Sequence, residues 1–295
     1  GIGFWTAFHL SRRGAKVYIG ARNEAKATNA ISQMKKIDSN PANGSIEYFH
    51  IDLASPNDAK QAALNFMSKE KRLDILVNNA GIMSSAYEET KEGIVTSMVV
   101  NHISPFTFVE TLSSLLEKTA KEDGSDVRIV TVGSMVHSMA KDAKFDSLES
   151  FNTSYKGSFM ADMKRYAQSK LANILWSNEL QRRYDTQNVP ITCITIHPGG
   201  VHTETALDGL RKLPLSFILI PITRLFSDLP EKGSFTSIFA AASPAIRKNP
   251  KLYRGSYLEP YGKISLPSPQ AQDLILARSL WQTTENILKE RYGIV

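Results

Sequence analysis

An α/β fold, with a parallel, doubly wound sheet and helices on both faces, is predicted by three features of the sequence. Short apolar runs of strand length alternate with stretches of helical periodicity along the chain. The runs close on Gly, Asn or Asp, residues that turn a chain at the end of a strand. A helix between successive strands returns the chain across the sheet, so that neighbouring strands run parallel. With 295 residues and 42% hydrophobic content the chain can bury one substantial core, and a single domain over 1–295 is expected.

In chain order, Gly1-Ile2-Gly3 opens onto a helical pattern through Phe4, Trp5, Ala7, Phe8 and Leu10 that Gly14 stops, and residues 15–20 read as a strand. Residues 23–37 form an amphipathic helix, 39–44 a turn-rich connection, and 46–51 a strand ending at Asp52-Leu53. Pro56 is tolerated in the first turn of a helix over 56–69, and 73–77 is a strand ending at Asn78-Asn79-Ala80-Gly81. A long helix over 93–116 carries Asn101 on an apolar face, by itself either a satisfied core amide or a functional group. Strand 127–132 closes on Gly133-Ser134, and a polar insert at about 135–160 without clear periodicity leads into a helix over 162–184. Strand 190–196 is followed by His197-Pro198-Gly199-Gly200-Val201. The apolar, proline-broken stretch 204–229 belongs to a substrate loop at about 199–230. A helix over 231–242, a short strand at 254–258 and a helix over 269–292 complete the chain.

The formal charge of +6 is dispersed among acids, as in Glu117-Lys118-Thr119-Ala120-Lys121-Glu122, which describes a solvated face and argues against a nucleic-acid partner. The one cysteine, Cys193, sits in an apolar strand, where a small buried thiol in a reducing compartment is expected. No run approaches the roughly 18 apolar residues of a membrane span. A cytoplasmic location is expected, with peripheral contact on an intracellular membrane as the alternative.

Tyr166 and Lys170 stand four residues apart on one helical face. A phenol titrates near pH ~10, and a cation within ~4–6 Å favours the phenolate, so Lys170 is placed to make Tyr166 a usable acid or base. Alone, Tyr-x-x-x-Lys is more often a solvated helix surface. Gly1-Ile2-Gly3 stands where a glycine turn admits a pyrophosphate to a helix N-terminus. Arg22 follows the strand at 15–20, where NAD folds offer an acid to the ribose 2′-hydroxyl and NADP folds an arginine to the 2′-phosphate. Arg22 points to NADP, the alternative being an ordinary cation at a helix start.

Read together, Gly1-Ile2-Gly3, Asp52-Leu53, Asn78-Asn79-Ala80-Gly81, Asn101, Ser134, Tyr166-x-x-x-Lys170 and Pro198-Gly199 resemble, in order and context, the classical short-chain dehydrogenase/reductase family. Ala167-Gln168-Ser169-Lys170-Leu171-Ala172-Asn173 is most similar to its retinol dehydrogenase and WW-domain oxidoreductase branch. The resemblance runs the length of the chain and implies a Rossmann-like fold. It also implies that Tyr166 is the general acid in carbonyl reduction and the base in alcohol oxidation, and that Ser134 hydrogen-bonds the reacting oxygen. Lys170 would lower the phenol and hold the nicotinamide ribose, while Asn101 would anchor a water chain to Lys170. NADP would lie against Gly1, Ile2, Gly3, Arg22, Asp52, Leu53, Asn79, Ala80, Gly81, Tyr166, Lys170, Pro198, Gly199, Val201 and Thr203. No metal is expected, and a homodimer is left open.

Two departures from the family pattern stand out. The interval from Ser134 to Tyr166 is longer than usual, as this branch often shows, and the first strand with the first glycine of the motif is missing, so a truncated gene or fragment is expected. The resulting expectation is an NADP(H)-dependent oxidoreductase acting on a carbonyl or alcohol of a small, lipophilic molecule. The alternative is a non-catalytic nucleotide-sensing or protein-binding module of the same fold. The apolar residues of 213–226, bracketed by Arg211, Lys212 and Arg224, either line the substrate pocket or also meet a membrane interface.

Overall fold

The computed structural model describes residues 1–40, 42, 44–83, 86–201 and 228–294. Its main elements are α1 (Ile2–Ser11), β1 (Val17–Ala21), α2 (Glu24–Ile37), β2 (Ile46–His50), α3 (Pro56–Lys69), β3 (Ile75–Asn78), α4 (Ser104–Ala120), β4 (Val127–Val132), α5 (Ala161–Thr186), β5 (Ile191–Ile196), α6 (Phe235–Ala242), β6 (Tyr257–Glu259), β7 (Lys263–Ser265) and α7 (Leu274–Tyr292). Local chemistry sets several helix starts. The Asn23 side chain accepts the Lys26 N–H ahead of α2, and Ser55 accepts the Asp58 N–H ahead of α3, where Pro56 needs no partner. Asp273 caps α7 through the N–H groups of Ile275 and Leu276, so this helix begins at 274 and residues 269–272 form a separate 3₁₀ turn instead of its first turn.

The strands run parallel from β3 through β6, and helices cover both faces, as expected. On one face α3, α4, α5 and α7 pack into a core with Val127, Ile129, Ile191 and Cys193. On the other, Leu10 of α1 and Ala240 and Ala241 of α6 meet Val130, Val132, Ile194 and Leu258. Cys193 is buried and free, as its apolar setting predicted.

The sheet is not continuous. β1 and β2 form a parallel pair, and β3–β4–β5–β6–β7 form a second sheet, with no ladder joining β1 to β3 among the described residues. Side chains bridge the division instead: Val17 of β1 and Ile75 and Val77 of β3 pack against the same apolar cluster. Burial records the difference, since every residue of β4 and β5 is buried whereas β3 is partly exposed throughout.

Three local departures from the predicted elements have physical causes. The helix at 93–116 starts late, with a turn at Thr96–Met98 and a π-helical turn at Val99–Ile103 before α4. Pro105 has no N–H for the Asn101 carbonyl four residues back, and the wider turn accommodates that loss. The insert at 135–160 is ordered by a 3₁₀ turn at Met135–Met139 and a capped turn at Leu148–Phe151, and it sinks Phe145 and Phe151 into the core. The single strand predicted at 254–258 is a hairpin: β6 turns at Gly262, φ +83°, into the antiparallel β7. Thr203, residues 213–226 and most of the loop at 199–230 lie outside the described residues.

Arg128 ties β4 to α6. Its buried guanidinium pairs with Asp126 and donates to the carbonyls of Ala240 at 3.1 Å and Ser243 at 2.9 Å. Truncating Arg128→Ala strands both carbonyls and the Asp126 charge, and a loss of about 3 kcal/mol in unfolding free energy is expected, read from the denaturant midpoint. An unchanged midpoint would refute the tie.

Candidate active site

β3, β4 and β5 run parallel, so their carboxyl ends share one edge, where open α/β sheets bind ligands. Lys170, buried on α5, donates Nζ–H to the carbonyl of Val132, the last residue of β4, at 2.8 Å. Two residues further on, β4 presents Ser134. The Lys170 ammonium lies 5.5 Å from the centroid of the Tyr166 ring, one turn earlier on α5.

The loop after β3 comes close to this lysine. A Cβ at Gly81 would stand 3.2 Å from Lys170 Nζ and 3.3 Å from Asn101 Oδ1, so a side chain there would push on both. Asn101 is fully engaged: Oδ1 accepts the Ile82 N–H at 2.8 Å, and Nδ2 donates to the Ile82 carbonyl and to Ser169 Oγ, each at 2.9 Å. Its amide laces the π turn, the β3 loop and α5 together. Both of its N–H groups are used.

Ser134 Oγ accepts the Val136 N–H at 3.3 Å, which leaves its own O–H to be donated outward. Burial pushes the half-buried Tyr166 phenol up to about 12 and the Lys170 ammonium down to about 8. This runs against the expectation that Lys170 lowers Tyr166: loss of water is the cause acting on the phenol, and above about pH 8 Lys170 itself loses the charge that would favour a phenolate.

On the cofactor side, the glycine turn packs against the β3 loop, since a Cβ at Gly3 would lie 2.7 Å from Asn79 Nδ2. Gly1 forms the N-cap of α1 with no side-chain cap, and Ile2 is half-buried beside it. Arg22 is exposed at the end of β1 and enters no ion pair among the described residues. Asp52 Oδ1 accepts the Ala54 N–H at 2.9 Å, holding the loop after β2, while Leu53 packs on the core. Ala80 is exposed between Asn79 and Gly81. Pro198 is buried; Gly199, at φ +93°, has room for a Cβ only 3.1 Å from Pro260 Cγ; half-buried Val201 bridges to Asp228. Asn78 Nδ2, Thr195 Oγ1 and His197 Nδ1 are buried at these strand ends without a protein partner.

The structure therefore brings together Tyr166, Lys170, Asn101 and Gly81, with Ser134 two residues beyond the Val132 carbonyl that Lys170 holds, and separately Gly3 with Asn79. Arg22 follows the end of β1 and Asp52 the end of β2, with no bond to these groups among the described residues. Gly133 carried no sequence signal of its own, yet a Cβ there would sit 2.9 Å from Thr195 Cγ2. Among the described residues no cluster of His, Cys, Asp and Glu is arranged to hold a metal, and no helix is long and apolar enough to cross a membrane.

A parallel sheet with a glycine turn ahead of its first helix, and a Ser, Tyr and Lys gathered at its carboxyl edge, defines an α/β dinucleotide-type oxidoreductase. The chain belongs to the short-chain dehydrogenase/reductase family, and as such it is an oxidoreductase of a small-molecule substrate. The family profile described as short chain dehydrogenase matches residues 1–144. A short-chain dehydrogenase/reductase of Armillaria gallica is 41% identical over 290 residues, covering 98% of this chain and 90% of its own. Retinol dehydrogenase 14 of Homo sapiens is 33% identical over 299 residues, covering 97% of this chain and 82% of its own. The crystal structure of an uncharacterised protein from Mycobacterium paratuberculosis superposes with a TM-score of 0.70 at 26% identity, covering 98% of this chain and 89% of that one. The NADP active-site complex of RhlG from Pseudomonas aeruginosa has a TM-score of 0.64 at 23% identity over 89% of this chain and 91% of that one, a likeness of fold.

Removing the Asn101 amide orphans the Ile82 N–H and carbonyl. Asn101→Ala is expected to cost about 2 kcal/mol in chemical denaturation, and a cost below about 0.5 kcal/mol would show that the clamp is dispensable.

Proposed function

We propose that the chain is an NADP(H)-dependent oxidoreductase that reduces a carbonyl or oxidises an alcohol on a small, lipophilic molecule, with Tyr166 as general acid and base. The observation that carries this reading is the Lys170 Nζ–Val132 O bond of 2.8 Å, which fixes the Tyr166 helix against the strand end bearing Ser134. The edge suits a dinucleotide. The first turn of α1 has no side-chain cap, Gly3 lets the Asn79 amide lie against that turn, and among the described residues Arg22 enters no ion pair and Asn78, Thr195 and His197 keep buried polar atoms without partners. Lipophilicity is supported by the apolar residues flanking the catalytic ones in sequence, with Met135 exposed beside Ser134 and Phe159 and Met160 exposed ahead of α5. The retinol dehydrogenase relative and the apolar composition of 213–226 agree with it.

When bound, NADPH supplies the hydride that no protein group provides. Tyr166 gives its phenolic proton to the substrate oxygen in reduction and regains one from solvent; oxidation runs the same transfer in reverse. Ser134 donates its O–H to that oxygen, whose charge grows as the bond order falls. Lys170 would hold the nicotinamide-side ribose and supplies positive charge beside the phenol.

Three measurements test this. NADPH oxidation is expected with at least one member of a panel of aldehydes, ketones and retinoids, and Tyr166→Phe should lower turnover by about 10²-fold or more. NADPH binding without turnover on any of them would favour the non-catalytic module. Because Tyr166 keeps its proton up to about 12 and Lys170 keeps its charge only below about 8, the rate of reduction should hold from neutral pH and fall as pH rises through about 8. A flat profile to pH 10 would remove Lys170 from the rate. Arg22→Asp should raise the KM for NADPH by about tenfold, the equivalent of about 1.4 kcal/mol, and leave NADH less affected. An unchanged KM would refute the 2′-phosphate assignment.

A further inference from the structure

We propose that His137, in its neutral Nδ1–H form, is a positioning residue that sets the orientation of Ser134; the inference rests on the reading of Ser134 as the donor to the reacting oxygen. The imidazole is buried in the 3₁₀ turn that follows β4. Its Nδ1 lies 2.7 Å from the Ser134 carbonyl and its Nε2 lies 3.0 Å from the Ser268 backbone nitrogen. A carbonyl oxygen only accepts and a backbone amide only donates, so one tautomer satisfies both contacts, with the proton on Nδ1 and the lone pair on Nε2. The His137 backbone N–H also points at the Ser134 carbonyl, at 3.2 Å. Ser134 is therefore held by its carbonyl from two directions, and loss of those contacts would free the backbone that carries its hydroxyl.

The far anchor is firm. Ser268 opens the 3₁₀ turn ahead of α7, and Gln270 in that turn donates to the Ala143 carbonyl at 2.6 Å, across the insert. The His137 ring also meets the Tyr257 ring edge-on, with centroids 5.4 Å apart. The titratable groups beside it are Tyr257 on β6, in ring contact, and His197 at the end of β5, both of which feel Glu259 in turn, while α5 packs along the same turn. Burial holds His137 below the usual histidine range. A second proton at Nε2 would face the Ser268 N–H and break the far contact, so the clamp opens only in acid.

The test is a double-mutant cycle on the full chain with NADPH and an accepted carbonyl substrate. His137→Leu removes both contacts and should lower kcat by about tenfold or more while leaving the NADPH dissociation constant, measured by fluorescence titration, within about twofold. In a Ser134→Ala background the same substitution should cause no further loss. His137→Asn keeps an N–H where Nδ1 stands and should recover most of kcat while abolishing the acid limb of the pH profile; His137→Gln, which restores only the Ser268 contact, should not recover it. Losses that add in the double variant would overturn the link, as would equal recovery by Asn and Gln. If His137→Leu does not fold, the contrast between Asn and Gln decides alone. A Ser134→Ala enzyme with undiminished kcat would instead sink the reading of Ser134 on which the inference rests, an outcome distinct from additivity.

Discussion

Taking a lysine ammonium out of water costs several kcal/mol unless its surroundings replace the lost hydration. Lys170 meets that demand with the Val132 carbonyl and with close packing beneath the loop after β3. Much of the local architecture follows from it. Gly81 must be small because Nζ and the Asn101 amide occupy the space a side chain would need. Asn101 must be held, and the π turn before Pro105 turns it toward both Ile82 and Ser169. The helix carrying Tyr166 is thereby pinned to the strand that delivers Ser134.

Packing and buried polar ties hold the molecule together where the sheet does not. Between β1 and β3 cohesion comes from side chains of α1, β1 and the larger sheet meeting in one apolar cluster, without a ladder. Arg128 fastens β4 to α6, and Glu179, with no side-chain exposure, is neutralised on α5 by Arg182 and Arg183. Such ties are directional, and once desolvated they resist being broken singly. That rigidity suits a site whose groups are supplied by four or more separate segments.

Periodicity and turn chemistry made most elements legible. Alternating apolar runs located six of the seven strands among the described residues, and the caps at Asn23 and Ser55 are local features with local causes. Misreadings arose where a long-range contact decided the outcome. β7 exists only because β6 offers it an edge, and the insert looked unstructured because Phe145 and Phe151 find their partners far away in the chain. The phenol of Tyr166 was expected to fall and instead rises, since spacing on a helix reports which charge is near and says nothing of how much water has been lost.

By itself, then, the sequence determined the α/β class and the order of most elements, because these depend on periodicity and turn chemistry within short stretches, and it named Ser134, Tyr166 and Lys170 as candidates through spacing and family resemblance. Tertiary structure alone decided that no ladder joins β1 to β3 among the described residues, that Asn101 spends both N–H groups as a clamp, and that His137, bonded to Ser134, reaches Ser268 131 residues further along the chain. Contacts between segments so distant depend on how the core closes; they set the tautomer of His137, and burial, which shifts Tyr166 and Lys170, is a property of that closed core and of no short stretch of chain.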